Sequence, residues 1–135
     1  TCYPTNEQRR WTIKPPMKLT TEDAAEIESP SEDDIDATLV GDSFGSFAIL
    51  ERTPDDYIQI GNAWQPDDPT RAFLAKTGSD PWILEYHIPD ADCNQRADVF
   101  VTLDDARRAF KLFCSGDVSW RDWYTWSPWD WRVDR

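Results

Sequence analysis

The apolar positions change period along the chain, and the changes predict its elements. From Pro81 to Ile88 they alternate, with Trp82, Leu84, Tyr86 and Ile88 on one face and Ile83, Glu85 and His87 on the other, which predicts a strand. Ser46–Arg52 is apolar enough for a central strand, and the turn signal Thr53-Pro54-Asp55-Asp56 leads into Tyr57–Ile60, so the pair reads as a hairpin. Ala97–Val101 reads as the last strand, Arg71–Ala75 as a weaker one, and Ala24–Glu28 as a short extended piece before Pro30.

Between these runs the spacing turns helical. Ser31 with Asp34 forms a capping box, acids fill the first turn, Ile35 and Leu39 share a face, and Gly41 offers a stop. Thr102 caps a second helix in which Leu103, Ala106, Phe110 and Phe113 recur at helical spacing, and Gly116 ends it. The order helix, strands, helix, tail predicts an α+β fold. Its antiparallel sheet has about four to five strands, two helices pack on one face, and a Trp-rich C-terminal tail follows. A chain of 135 residues accommodates one core, so residues 21–135 are read as a single domain. Residues 1–20 carry Pro4, Pro15 and Pro16 with Arg9, Arg10, Lys14 and Lys18, and read as a basic, irregular arm.

Charge narrows the function classes. Twenty-six acids against fourteen Lys and Arg give −12. Such a surface repels nucleic acid and anionic membranes and attracts basic partners. No apolar run approaches the ~20 residues of a membrane span, and cytoplasmic residence is the expectation. Cys2, Cys93 and Cys114 match no metal spacing. Cys114 reads as a small core residue, whereas Cys2 and Cys93 lie in loop-like sequence where a pair is open to them.

Catalytic chemistry has little to work with. The single histidine, His87, lies on a strand face and reads as a sheet histidine, not a base. There is no Gly-rich phosphate loop, no nucleophile elbow and no calcium-loop pattern. Neither cofactor nor metal is expected. Asp55-Asp56 and Asp67-Asp68 read first as solvated turn pairs.

The tail is the oddity. Trp120, Trp123, Trp126, Trp129 and Trp131 crowd into twelve residues with Tyr124, and Pro128 interrupts any helix. Some rings must pack on the sheet while others stay near the surface. Two readings stand: a plug over an open sheet face, or aromatic anchors with Asp122, Asp130 and Asp134 as an acidic rim. Sugar-stacking rows occur mostly in β-rich modules of lower charge, and stacking on single-stranded nucleic acid needs a basic groove.

Ser46-Phe47-Ala48-Ile49-Leu50-Glu51, Tyr57-Ile58-Gln59, Leu84-Glu85-Tyr86 and Ala109-Phe110, followed by Gly116-Asp117 and Trp120, form a scattered pattern over roughly residues 31–126. In it the chain resembles immunity proteins of bacterial polymorphic-toxin and contact-dependent inhibition systems. The resemblance implies a non-enzymatic protein that occludes a secreted toxin, acidic because many such toxins are basic nucleases. On this reading Asp55, Asp56, Asp67 and Asp68 steer a basic effector, and Trp64, Trp126 and Trp129, with Asp130, anchor it. A ligand or enzyme site built on Glu85 and His87, and an acidic DNA mimic, are the alternatives.

Overall fold

The computed structural model describes residues 16–23, 25–40 and 43–129. Seven strands form one antiparallel sheet: β1 (Lys18–Thr21), β2 (Ile27–Glu28), β3 (Phe47–Thr53), β4 (Asp56–Asn62), β5 (Trp82–His87), β6 (Asn94–Ala97) and β7 (Trp126–Trp129). Their order across the sheet is β2-β1-β3-β4-β5-β6-β7. Three α-helices, α1 (Glu32–Thr38), α2 (Asp68–Thr77) and α3 (Leu103–Ser115), and a 3-10 turn at Ser119–Trp123 complete the described elements.

The α+β class stands, with more pieces than the pattern predicts. The sheet is wider on both sides. Lys18–Thr21, at the end of the basic arm, pairs along β3, and the tail supplies β7 through pairing with β6. Arg9, Arg10 and Lys14 lie outside the described residues. The extended piece at Ala24–Glu28 contributes only Ile27–Glu28. The last strand expected at Ala97–Val101 is displaced toward the N-terminus, to Asn94–Ala97, and Val101 makes only an isolated bridge to Trp82.

Arg71–Ala75 is helix, not strand. Asp67 caps α2 by accepting from the Thr70 amide at 3.1 Å, Pro69 stands in its first turn, and Gly78 closes it with φ 77°. Those end signals outweigh the local apolar pair Phe73-Leu74. Thr70 alone is buried, so α2 carries almost no apolar stripe by which a sequence pattern would reveal it.

The two expected helices form as read. In α1 the Ser31 hydroxyl accepts from the Asp34 amide at 3.0 Å and the Asp34 carboxylate from the Ser31 amide at 2.9 Å. The helix ends at Thr38 with Leu39 as its cap, while Gly41 is outside the described residues. In α3 Thr102 accepts from the Asp105 amide, and Gly116, at φ 87°, returns its amide to Leu112 and Phe113.

Helix α3 packs on β4 and β5, and α1 lies against α3. Between them and the sheet sits the core: Ile35, Leu39, Ala106, Phe110 and Phe113 from the helices, and Leu19, Ala48, Leu50, Ile58, Ile60, Trp82 and Leu84 from the strands. Arg52 ties the far end of the hairpin to this layer. It reaches Asp56 at 2.7 Å, donates to the Phe113 carbonyl at 3.1 Å and lies 4.5 Å over the Phe113 ring.

Candidate functional site

Alternation in the strands leaves the second sheet face outside the helical layer. Register sets its side chains in lines across the strands. Thr20, Ile49, Gln59, Glu85, Arg96 and Ser127 form one line. Lys18, Glu51, Tyr57 and His87 form the next, with Asn94 opposite Trp129 beyond. Phe47, Gly61 and Ile83 form a third.

The polar groups of this face hold one another. Gln59 donates to Glu85 Oε1 at 2.6 Å, and Arg96 brings Nε and Nη2 to Glu85 Oε2 at 2.7 and 2.6 Å. The Arg96 guanidinium also lies 4.1 Å from the centroid of the Trp129 ring. Tyr57 donates to Asn94 Oδ1 at 2.7 Å and stacks on the His87 ring, whose Nδ1 sits 2.6 Å from the Asp55 carbonyl. Burial raises the Tyr57 phenol above its ordinary pKa against the Asn94 hydrogen bond. Beside the polar line, Phe47, Ile49, Gly61 and Ile83 line a shallow cleft of about 350 Å³ together with Gln59, Asn62, Glu85 and Arg96.

The residues expected to bind a partner do not form one patch. Asp55 and Asp56 stand at the β3–β4 turn, where Asp56 is held by Arg52. Trp64, Asp67 and Asp68 follow the opposite end of β4; the Trp64 amide donates to Asn62 Oδ1 at 2.8 Å and the residue is 39% exposed. Asp67 is occupied in capping α2, and hydrogen bonds from the Thr70 amide and hydroxyl hold its carboxyl below the usual range. Asp130 lies outside the described residues.

The tryptophans divide between the faces. Trp126 turns to the core side, half-buried, edge-on to Tyr86, Trp120 and Tyr124, with its indole N–H on the Arg121 carbonyl at 2.7 Å. Trp120 is fully buried there. Trp129 is on the open face, and Trp123 is exposed. Trp131 is outside the described residues. The tail is thus a plug at Trp120 and Trp126 and a surface at Trp123 and Trp129.

Of this line sequence reasoning names only Glu85, as part of an alternative site with His87; Gln59, Arg96 and the cleft beside Gly61 it misses. Alternation marks Ile83, Glu85 and His87 as one face, but Arg96 and Trp129 join it only through pairing across β6 and β7. Cys93 and Cys114 carry free thiols, Cys114 half-buried with its thiol pKa raised by burial. The pairing open to Cys2 and Cys93 depends on Cys2, outside the described residues. Among the described residues no helix is long and apolar enough to cross a membrane, and no cluster of His, Cys, Asp and Glu is arranged to hold a metal ion. No protein-family model, no curated protein and no solved structure matches the chain.

Proposed function

We propose that this chain is a non-enzymatic, immunity-type protein that binds and neutralises a basic protein effector, and that its open sheet face takes part in the contact. One observation carries the reading: on a chain of net charge −12, a sheet face outside the helical layer carries aromatic and aliphatic side chains around a polar line already fixed by its own hydrogen bonds. A surface fixed before contact loses little side-chain freedom on binding, which favours a tight complex. The negative field speeds capture of a basic partner. Trp129 and Tyr57, both on this face, are residue types that supply interface anchors. Glu85 takes hydrogen bonds on both oxygens, which supports a structural role over a free catalytic carboxylate.

Affinity capture from lysate of the source organism at ~50 mM salt, elution by raised salt and mass spectrometry test the reading. The expected result is a single basic protein in near-equal amount whose toxicity is relieved by co-expression of this chain. Capture of no protein, or of one whose toxicity persists, counts against it.

A further inference from the structure

Helix α2 has a side that the fold leaves uncovered. Its inner side is held by Thr70, the helix's one buried residue, whose hydroxyl donates to the Gln65 carbonyl, and by Phe73, edge-on to Phe100 with ring centroids 5.8 Å apart. Asp68, Ala72 and Lys76 recur at every fourth residue on the side away from these, Ala75 lies beside them, and all four are exposed. Leu74, 37% exposed, borders the stripe.

The charges of this stripe are sorted by end. Asp68 stands in the first turn and Lys76 in the last, about 12 Å apart along the axis. Among the described residues neither makes an ion pair, whereas Arg107, Arg108 and Lys111 of α3 all meet Asp36, Asp104 or Asp105. Arg71, one turn after Asp67, adds to the Thr70 hydrogen bonds that lower the Asp67 carboxyl pKa. A uniformly basic surface would suit Asp68 and repel Lys76, and an acidic one would do the reverse. A segment carrying both signs at the same spacing in the opposite direction suits both. Helix α2 run antiparallel to itself is such a segment.

We infer that the exposed side of α2 is a two-fold face on which a second copy of this chain docks. With the axis at Ala72, Asp68 of each copy stands opposite Lys76 of the other, and Ala72 meets its own counterpart. The short side chains of Ala72 and Ala75 let the two helices approach closely, and antiparallel macrodipoles favour the same arrangement. The −12 charge on each copy opposes association at long range, but at physiological salt it is screened beyond about 8 Å, less than the reach of the contact pairs. The face stands apart from the inhibitor reading, whose contact is on the open side of the sheet.

Sedimentation equilibrium of the whole chain at ~150 mM salt tests the face. The contact is small, so a weak dimer is expected, its share rising between about 10 µM and about 1 mM. Ala72→Glu sets like charges together at the axis and should leave only monomer, with the melting temperature unchanged. Asp68→Lys and Lys76→Asp should each be monomeric alone, because each makes the opposed positions alike in sign. An equimolar mixture of these two variants should dimerise, because opposite signs face each other again, and it decides the matter should Ala72→Glu fail to fold. A wild type still monomeric at about 1 mM, a dimer indifferent to Ala72→Glu, or a mixture no more associated than its components overturns the inference. So does a monomeric wild type that captures a protein which Ala72→Glu no longer captures, since α2 would then belong to the effector contact.

Discussion

Arg96 is held between two partners on the open face: it grips Glu85 Oε2 with two guanidinium nitrogens and places its guanidinium carbon over the Trp129 ring, 4.1 Å from the centroid. The pairing joins β5, β6 and β7 through side chains on the face opposite helix α3. Glu85 is buried despite standing on this face, because its neighbours in the line cover it.

Removing Arg96 therefore leaves a desolvated carboxylate without its charge partner. Arg96→Met should cost about 2–3 kcal/mol, toward the low end for a buried pair because water reaches the guanidinium. Glu85→Gln combined with Arg96→Met should recover part of that loss. Urea unfolding of the two single variants and the double variant measures the coupling, and additive losses would mean the pair is not a unit.

The tail tryptophans should separate by face. Trp120→Ala empties a fully buried site and should cost about 3–5 kcal/mol. Trp126→Ala, on the half-buried side of the same cluster, should cost less but still measurably. Trp129→Ala, on the open face, loses the Arg96 stack along with its other contacts there and should cost less than Trp120→Ala. Thermal unfolding ranks the three, and a loss at Trp126 or Trp129 as large as that at Trp120 would contradict the order of burial.

Acid stability should rest partly on three carboxylates held below their ordinary pKa by hydrogen bonds: Glu22 from the Ser46 amide and hydroxyl, Asp67 from Thr70, and Asp117 from Ser119. A depressed folded pKa contributes stability that is full above the unfolded value, near 4, and disappears as pH falls through the lower folded value. The melting temperature should drop below about pH 4. Asp67→Asn should shrink that drop, and a profile unchanged in this variant would show that the α2 cap is not among its sources.

At the alkaline end Tyr124 behaves in the opposite sense. Burial first, and the nearby Asp105 charge second, push its phenol up to about 12. A raised folded pKa contributes stability that is full below the unfolded value near 10 and disappears as pH rises toward 12. Absorbance titration should show late-ionising phenols, Tyr57 and Tyr124, and Tyr124→Phe should remove the one near 12. A titration in which every tyrosine ionises near 10 would refute the burial of this ring.

The boundaries of α1, α3, β5 and the central hairpin were legible because their signals are local. Ser31 with Asp34, Thr102 with Asp105, and Gly116 act within a turn of the backbone they terminate, and the Trp82–Ile88 alternation records which face is wet. Helix α2 escaped because its signals are only caps; with Thr70 as its one buried residue, it has no stripe to betray its period. Strands β1 and β7 escaped because a short strand is stabilised by what pairs with it. Neither Lys-Leu-Thr-Thr nor Trp-Ser-Pro-Trp carries a strand's pattern by itself.

The candidate site was legible only in part. By itself the sequence determined an acidic α+β chain, the apolar faces of α1, α3 and β5, and a tail in which some rings had to be buried, since these follow from charge and from periodicity within one element. Tertiary structure alone decided that Asp55 and Asp67 lie at opposite ends of β4, that Trp126 faces the core while Trp129 covers Arg96, and that Gly61 opens between Phe47 and Ile83. Those relations depend on register between strands distant in sequence, and a one-residue slip would turn every one of these side chains to the other face.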